Sequence, residues 1–426
     1  MQKVLIITYY WPPAGGPGVQ RWLKFVKYLR DFDIEPIVYT PENPNYPITD
    51  TSFLDEVPKD IRVYRRKIFE PYALAGIFSK KKTKQISAGI ITSKNQSLLE
   101  KVLLWIRGNL FIPDARKFWV GPSVTFLSDI LEKEAIGTVI TTGPPHSVHL
   151  IGRELKRQLK INWVADFRDP WTSIGYHKKL MLTSFAQRKH KQLERLVLNE
   201  ADKIIVTSNT TKKEFAAITN NPIKVITNGY DTYPIINEPL DEAFTLSHIG
   251  SLLTGRNPHN LWKALSELIH EFPDFKEVFR LQLAGVVSSD VLESIYFYGL
   301  QPYTHLLGYI SHEEALQYQK RSQVLLLVEI NTEETQGIIP GKVFEYMAAK
   351  RPILGVGPVN WEVGRLITES NTGQTYDYEH HEVLKEVLLQ WFRDYKKGKL
   401  GLSKAKVEPY HRRELTRKLA EYLTWE

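Results

Sequence analysis

The densest chemistry in this sequence lies in the run Gln336-Gly337-Ile338-Ile339-Pro340-Gly341-Lys342-Val343-Phe344-Glu345. Proline beside glycine marks a helix start and puts Lys342 in the first turn. An ammonium at the positive end of a helix suits a diphosphate. Glu345, three residues on, shares that face, and its carboxylate accepts two hydrogen bonds of the kind a ribose offers. The same spacing also fits an i,i+3 ion pair with no ligand. A second anion-binding candidate joins Gly250 and Ser251 to Arg256: glycine at a strand end admits a phosphate, and a guanidinium grips it with a planar fork. A third is the loop Gly15-Gly16-Pro17-Gly18, where Gly16 and Gly18 let backbone amides approach an anion at a helix start, or simply make a turn. A fourth is Asp166-Phe167-Arg168-Asp169-Pro170-Trp171 at a strand end. Here two acids flank an arginine, and Asp166 can accept a hydroxyl proton or position an acceptor. The alternative is a buried structural Arg–Asp pair.

Other chemistries are disfavoured. His146 and His149 stand three apart without a third ligand, so no metal site is expected; His149 reads as structural and His146 as an active-site contact. No cysteine is present, which removes disulfides, thiolate metal sites and a thiol nucleophile. A dinucleotide fingerprint needs a small residue where Arg21 stands and an acid where strand two ends in Tyr39 and Thr40, so hydride transfer is disfavoured. No glycosidase carboxylate pair, Walker loop or G-x-S-x-G elbow is identifiable.

These residues need strands and helices to hold them. Apolar, β-branched runs at Lys3–Thr8, Pro36–Thr40, Thr138–Thr142, Trp163–Asp166 and Lys203–Thr207 alternate with helical patterns such as Val19–Leu29 and Phe185–Glu200. After a polar stretch, Tyr230–Glu242, the rhythm restarts with strands at Phe244–Ile249, Arg280–Ala284, Val324–Val328 and Pro352–Val356, and with a helix over Lys342–Ala349. Continuous apolar strands separated by helices imply two parallel sheets, each covered on both faces. The expected organisation is an N-terminal Rossmann-like domain over residues 1–228, a second over 229–405, and a C-terminal helix within 406–426 that packs on either half.

At 426 residues the chain is too long for one ordinary core. Its N-terminus reads as a strand, not a signal peptide, and no run approaches the ~20 apolar residues that span a bilayer. Residues 41–119 break the α/β rhythm as an insert. There Arg62, Arg65, Arg66, Lys67, Lys80, Lys81, Lys82 and Lys84 face a single acid, Glu70. An apolar stripe follows, Leu99, Val102, Leu103, Ile106 and Leu110, with Trp105, Phe111 and Trp119 nearby. Such an insert suits contact with an anionic membrane surface or ordinary packing on its own domain. The net charge of +8 comes without a groove-reading motif, so a nucleic-acid partner is not expected.

In order and spacing, several stretches resemble family-4 glycosyltransferases of the bacterial surface-polysaccharide branch. They are Tyr9-Tyr10-Trp11-Pro12-Pro13 with the glycine loop, Thr142-Gly143-Pro144-Pro145-His146-Ser147, Ala165 to Trp171, Ala201 to Ser208, Ile226 to Asp231, His248 to Ser251, and Pro340 to Ala348. The resemblance implies a GT-B fold, two Rossmann-like domains whose parallel sheets face across a cleft. It implies a nucleotide-sugar donor as substrate and no cofactor, and transfer that retains configuration without a metal. It further implies a glycan or lipid-linked acceptor, and the expected location is cytoplasmic and peripheral on the membrane's inner face. Arg256 and Lys342 match the positions that hold the donor diphosphate, Glu345 the acid on the ribose, and Gly16 and Gly18 the loop near the donor. Asp166 matches more weakly an acceptor-side or sugar-contacting group, beside His146, Arg168 and Asp169. The family's first glutamate is replaced by Gly337, so Gln336 or the amides of Gly337 and Ile338 are expected to take its place. The alternatives are a GT-B sugar-nucleotide epimerase and a non-catalytic nucleotide-sugar-binding protein.

Overall fold

The computed structural model describes residues 1–70, 98–178, 180–231, 239–402 and 404–425. The chain divides into two compact units, Met1–Thr227 with Arg412–Glu426, and Asn228–His411.

Unit 1 is built on a seven-stranded sheet in the order β3-β2-β1-β4-β5-β6-β7. The strands are β1 (Gln2–Thr8), β2 (Ile34–Pro41), β3 (Arg62–Arg66), β4 (Thr138–Gly143), β5 (Asn162–Phe167), β6 (Lys203–Val206) and β7 (Ile223–Val225). Every pairing is parallel, with Leu5 opposite Ile37 on one side and Val139 on the other. Unit 1 contains the helices α1 (Pro17–Leu29), α2 (Leu98–Leu110), α3 (Val120–Lys133), α4 (Ser147–Gln158), α5 (Gly175–Lys178), α6 (Ser184–Glu200) and α7 (Asn209–Ala216). Between them the central strands are buried on both faces, which is why Val4-Leu5-Ile6-Ile7 reads as an unbroken apolar run.

Unit 2 repeats the architecture with six parallel strands, β10-β9-β8-β11-β12-β13. These are β8 (Phe244–Ile249), β9 (Phe279–Ala284), β10 (Thr304–Gly308), β11 (Val324–Val328), β12 (Ile353–Val356) and β13 (Gly373–Tyr376). Its helices are α8 (His259–Glu271), α9 (Pro273–Val278), α10 (Ser289–Phe297), α11 (His312–Arg321), α12 (Lys342–Ala349), α13 (Glu362–Glu369) and α14 (His381–Lys396). Two apolar layers flank the sheet, one around Trp262 and Leu268, the other around Phe344 and Met347. The last helix, α15 (Arg412–Tyr422), returns to unit 1 and packs along α1, where Arg412 donates to the side chain and carbonyl of Gln20.

The two parallel α/β sheets match the expected fold class. Of the basic run, Arg62 to Arg66 form the edge strand β3, and Lys80 to Lys84 lie outside the described residues. The stripe on α2 points differently from a core-facing one. Among its described side chains Leu104 and Gly108 are buried, while Val102, Trp105 and Leu110 are exposed; the Leu99 side chain lies outside the described residues.

Candidate functional site

In unit 2 the strand-end residues converge. β8 ends at Gly250, whose φ of 115° is in the region open to glycine. A Cβ there would lie 2.8 Å from Lys342 Nζ, so the missing side chain makes room for the ammonium. Lys342 opens α12, whose N-terminus has no side-chain cap, so the ammonium and the helix's positive end share one place. Lys342 Nζ is 3.3 Å from His248 Nε2, and His248 Nδ1 lies 3.0 Å from the Leu326 carbonyl. A carbonyl only accepts, so Nδ1 carries the proton and Nε2 accepts from Lys342. Burial, then the charges of Lys342 and Arg256, hold His248 well below the usual imidazole range and therefore neutral.

Arg256 lies within electrostatic reach of Lys342. Its Nε and Nη2 donate to Glu329 Oε1 at 3.0 and 2.8 Å, and Glu329 is buried at the end of β11. Burial, then Arg256, pull the Lys342 ammonium down to about 8, partly opposed by Glu329 and Glu345. A lysine so placed holds its proton at neutral pH, and one perturbed by burial and a neighbouring cation at a strand end is a candidate site residue.

The i,i+3 ion pair is not what the helix forms: Lys342 turns to His248, and Glu345 accepts from Gln319 Nε2 at 3.1 Å. Ser251 is exposed beside Gly250. The loop before α12 is pinned through its carbonyls, with Glu362 N on Gln336 O and Trp361 Nε1 on Ile338 O. One expectation needs correction here. The Ile338 amide donates to Thr335 O at 3.0 Å, so it is already used and cannot replace the absent glutamate. Sequence reasoning missed Glu329 and His248. The signal for Glu329 was present, an acid directly after the apolar run Val324–Val328.

Unit 1 carries a second set of strand-end residues. Gly16 caps α1 with φ 98°, and nothing would meet a Cβ there. At Gly18 a Cβ would fall 1.6 Å from Arg168 Nη1, so this glycine makes room for a guanidinium of the same unit. Arg168 donates to the carbonyls of Gly143 and Pro144 and lies over the Tyr10 ring.

Asp166 corrects the sequence reading. It is fully buried and accepts from Arg21 Nη2 at 2.9 Å, Trp22 Nε1 at 2.7 Å and Thr142 Oγ1 at 2.8 Å. Those bonds fasten α1 to the sheet, and an acid so engaged is a scaffold, not a base open to a hydroxyl. Asp169 does remain accessible, with burial of its surroundings raising its carboxyl above the usual range. His149 is structural, stacked on Phe167 and bonded to Thr141 Oγ1. His146 is buried and stacked 4.7 Å from Trp171, with neither ring nitrogen partnered.

Residues 89–233 match the family model described as Glycosyltransferase Family 4. No curated protein matches the chain. Among solved structures, sucrose-phosphate synthase from Thermosynechococcus elongatus is similar at 14% identity and a TM-score of 0.58, over 99% of this chain and 98% of that one. HepE of Anabaena, in complex with UDP, is similar at 14% identity and a TM-score of 0.59, over 99% of each chain. WaaG, a glycosyltransferase involved in lipopolysaccharide biosynthesis, is similar at 14% identity and a TM-score of 0.55, over 99% of this chain and 100% of that one. Identities this low carry the fold, and the fold is GT-B. The family match spans less than half of the chain and supports a glycosyltransferase.

Proposed function

We propose that this chain is a retaining, metal-independent glycosyltransferase that moves a sugar from a nucleotide-sugar to a glycan or lipid-linked acceptor in surface-polysaccharide synthesis. One observation carries the reading: Lys342, Arg256 and the uncapped start of α12 gather at the carboxyl ends of β8 and β11, beside a glycine whose missing side chain makes room for the ammonium. In the reaction the bond between anomeric carbon and phosphate oxygen breaks, and the diphosphate leaves with the electron pair. The acceptor oxygen bonds the anomeric carbon and passes its proton to the departing diphosphate oxygen. Negative charge grows on the diphosphate as it departs, and preorganised cations stabilise that charge more in the transition state than in the ground state. In this reading Glu345 takes ribose hydroxyls, and Gln336 with the Gly337 amide stands in for the family's first glutamate on the sugar. The complex of HepE with UDP supports a diphosphate in a fold of this kind.

Unit 1 is read as the part that meets an anionic membrane surface on its cytoplasmic side. It carries 39 Lys and Arg against 24 Asp and Glu, while unit 2 carries 17 against 24, so all of the excess positive charge belongs to unit 1. Trp105 is 41% exposed and Phe185 68% exposed, on α2 and α6, which Asn109 ties together through Thr183. Lys101, Arg188 and Lys189 are exposed on the same two helices. Each such cation near an anionic leaflet contributes about 1 kcal/mol. Sedimentation with vesicles, with and without anionic lipid, checks this part.

The deciding experiment has two arms. Thermal shift against a panel of nucleotide-sugars finds the donor, since a ligand of the folded state raises the melting point. The donor is then incubated with and without glycan acceptors. Transfer only when acceptor is present supports the proposal. A changed sugar without acceptor identifies an epimerase, and binding without any turnover identifies a binding protein.

A further inference from the structure

β8 and β11 pair through Leu246–Val324 and Ser247–Leu325, and the pairing stops there. His248 comes next on β8, fully buried, in the fork where the two strands part. Its Nδ1 donates to the Leu326 carbonyl at 3.0 Å, on the strand that has just separated. The Tyr346 hydroxyl of α12 accepts from the Ile249 amide at 2.9 Å, so the helix is moored at the same fork. A buried polar network with its members bonded in this way is rigid.

The other ring nitrogen, Nε2, is what the Lys342 ammonium meets at 3.3 Å. Two carboxylates act on that ammonium, Glu329 and Glu345, yet each is engaged elsewhere. Glu329 Oε1 accepts from Arg256 and from the Ile330 amide at 2.9 Å, and Glu345 accepts from Gln319. Arg256, the other charge acting on Lys342, repels it. The acceptor that the ammonium does have carries no charge. Burial, Lys342 and Arg256 disfavour the His248 imidazolium and outweigh the Leu326 and Ser251 backbone, which favour it.

That neutrality matters for an anion. A carboxylate in place of His248 would hold the ammonium and also neutralise it. With no acceptor there, a flexible four-carbon stem three residues before Glu345 can turn to that acid along the helix. A neutral acceptor on a rigid mount fixes the ammonium against Gly250, at the start of α12, and leaves its charge for a ligand.

We propose that His248 is a positioning residue: it holds the Lys342 ammonium at the fork of β8 and β11, away from Glu345, so that its charge meets the diphosphate of the donor. The inference rests on the transferase reading for the diphosphate.

Calorimetry on the full chain tests it, with UDP, GDP, ADP and dTDP as probes and the tightest of them carried through the variants. Asparagine has a donor at the level of Nδ1 and nothing at the level of Nε2, so His248→Asn keeps the bond to Leu326 and loses the one to Lys342. Its affinity is expected to fall about tenfold, the loss for one hydrogen bond to a charged group. Glutamine carries its amide one carbon farther, so His248→Gln keeps the acceptor for Lys342. It is expected to stay within about threefold of wild type, the loss of one neutral bond. In a Lys342→Met background His248→Asn is expected to change affinity by less than about twofold, because the two residues act as one unit. A role confined to packing would weaken binding in both backgrounds alike. Equal affinity of His248→Asn and wild type, or the same loss with Lys342→Met as without it, overturns the proposal. Where His248→Asn fails to fold, imidazole nitrogen-15 shifts of the wild type decide, with His248 assigned by the signal lost in His248→Gln. An Nδ1–H tautomer is expected there, and an Nε2–H tautomer overturns the proposal, since that nitrogen could not accept from the ammonium. Binding of none of the probes by wild type overturns the diphosphate reading and this inference with it. Binding that ignores His248→Asn overturns this inference alone.

Discussion

Lys342 gives a prediction with two slopes of opposite sign. Its free ammonium titrates at about 8. A nucleoside diphosphate that needs the charged form must reprotonate it at higher pH, and its phosphate has finished its own ionisation near pH 6–7. The protonated fraction falls from about nine-tenths at pH 7 to about one-tenth at pH 9, so the affinity for UDP is expected to fall about tenfold across that interval. At pH 8 binding takes up about half a proton, which calorimetry reads directly by repeating the titration in buffers of different ionisation enthalpy. Stability of the free protein goes the other way. The folded value lies below the ordinary 10.5, so the unfolded chain binds more protons between about pH 8 and 10.5, and stability rises with pH there by up to about 3 kcal/mol. Lys342→Met removes both slopes and weakens UDP binding by roughly 10- to 100-fold, the loss of one charge-assisted hydrogen bond. Wild-type binding with no proton uptake at pH 8, or equal uptake in Lys342→Met, refutes the assignment of this lysine to the diphosphate.

Arg256→Ala is expected to lower turnover a hundredfold or more and also to lower stability, because Glu329 is left buried without its cation; adding Glu329→Gln recovers stability but not turnover, as melting and rate measurements on the pair will read. Acid destabilises unit 1 through its neutral histidines: burial lowers His149 to about 3 and His177 to about 4, so the unfolded chain binds more protons below pH 6.5 and stability falls as pH drops through that window. At pH 5 the two together cost about 4 kcal/mol relative to pH 7, and denaturant midpoints of wild type and His177→Phe at the two pH values measure the share of His177. Gly18→Ala drives a methyl group into the Arg168 guanidinium and is expected to cost about 1–3 kcal/mol in denaturant titrations, whereas Gly16→Ala acts through its positive φ alone.

What the sequence disclosed and what it hid follow from how many neighbours a residue answers to. The central strands were legible because burial on both faces demands continuous apolar runs, as in Val324–Val328. The edge strands were not: Arg62–Arg66 and Thr304–Gly308 are half-uncovered, so their residues carry no apolar signature and read as a basic run or a loop. Glycine and a cation at strand ends single out Gly250, Arg256 and Lys342, because a parallel sheet opens its sites there, and the structure brings the three together. The same rule misjudged Asp166, because a strand-end acid looks alike whether it faces a ligand or the core. Its deciding partners, Arg21 and Trp22, stand 145 and 144 residues away in sequence. In the sequence Arg21 is a departure from the dinucleotide fingerprint; in the fold it is the cation paired with buried Asp166. The two observations were one structural fact, and only tertiary contact joins them. Glu329 escaped for the complementary reason. Its role depends on Arg256, 73 residues earlier, and a buried acid without a visible cation reads as the end of a strand. Sites assembled from pairs so distant are legible in their types and places, but their pairing is decided by the fold.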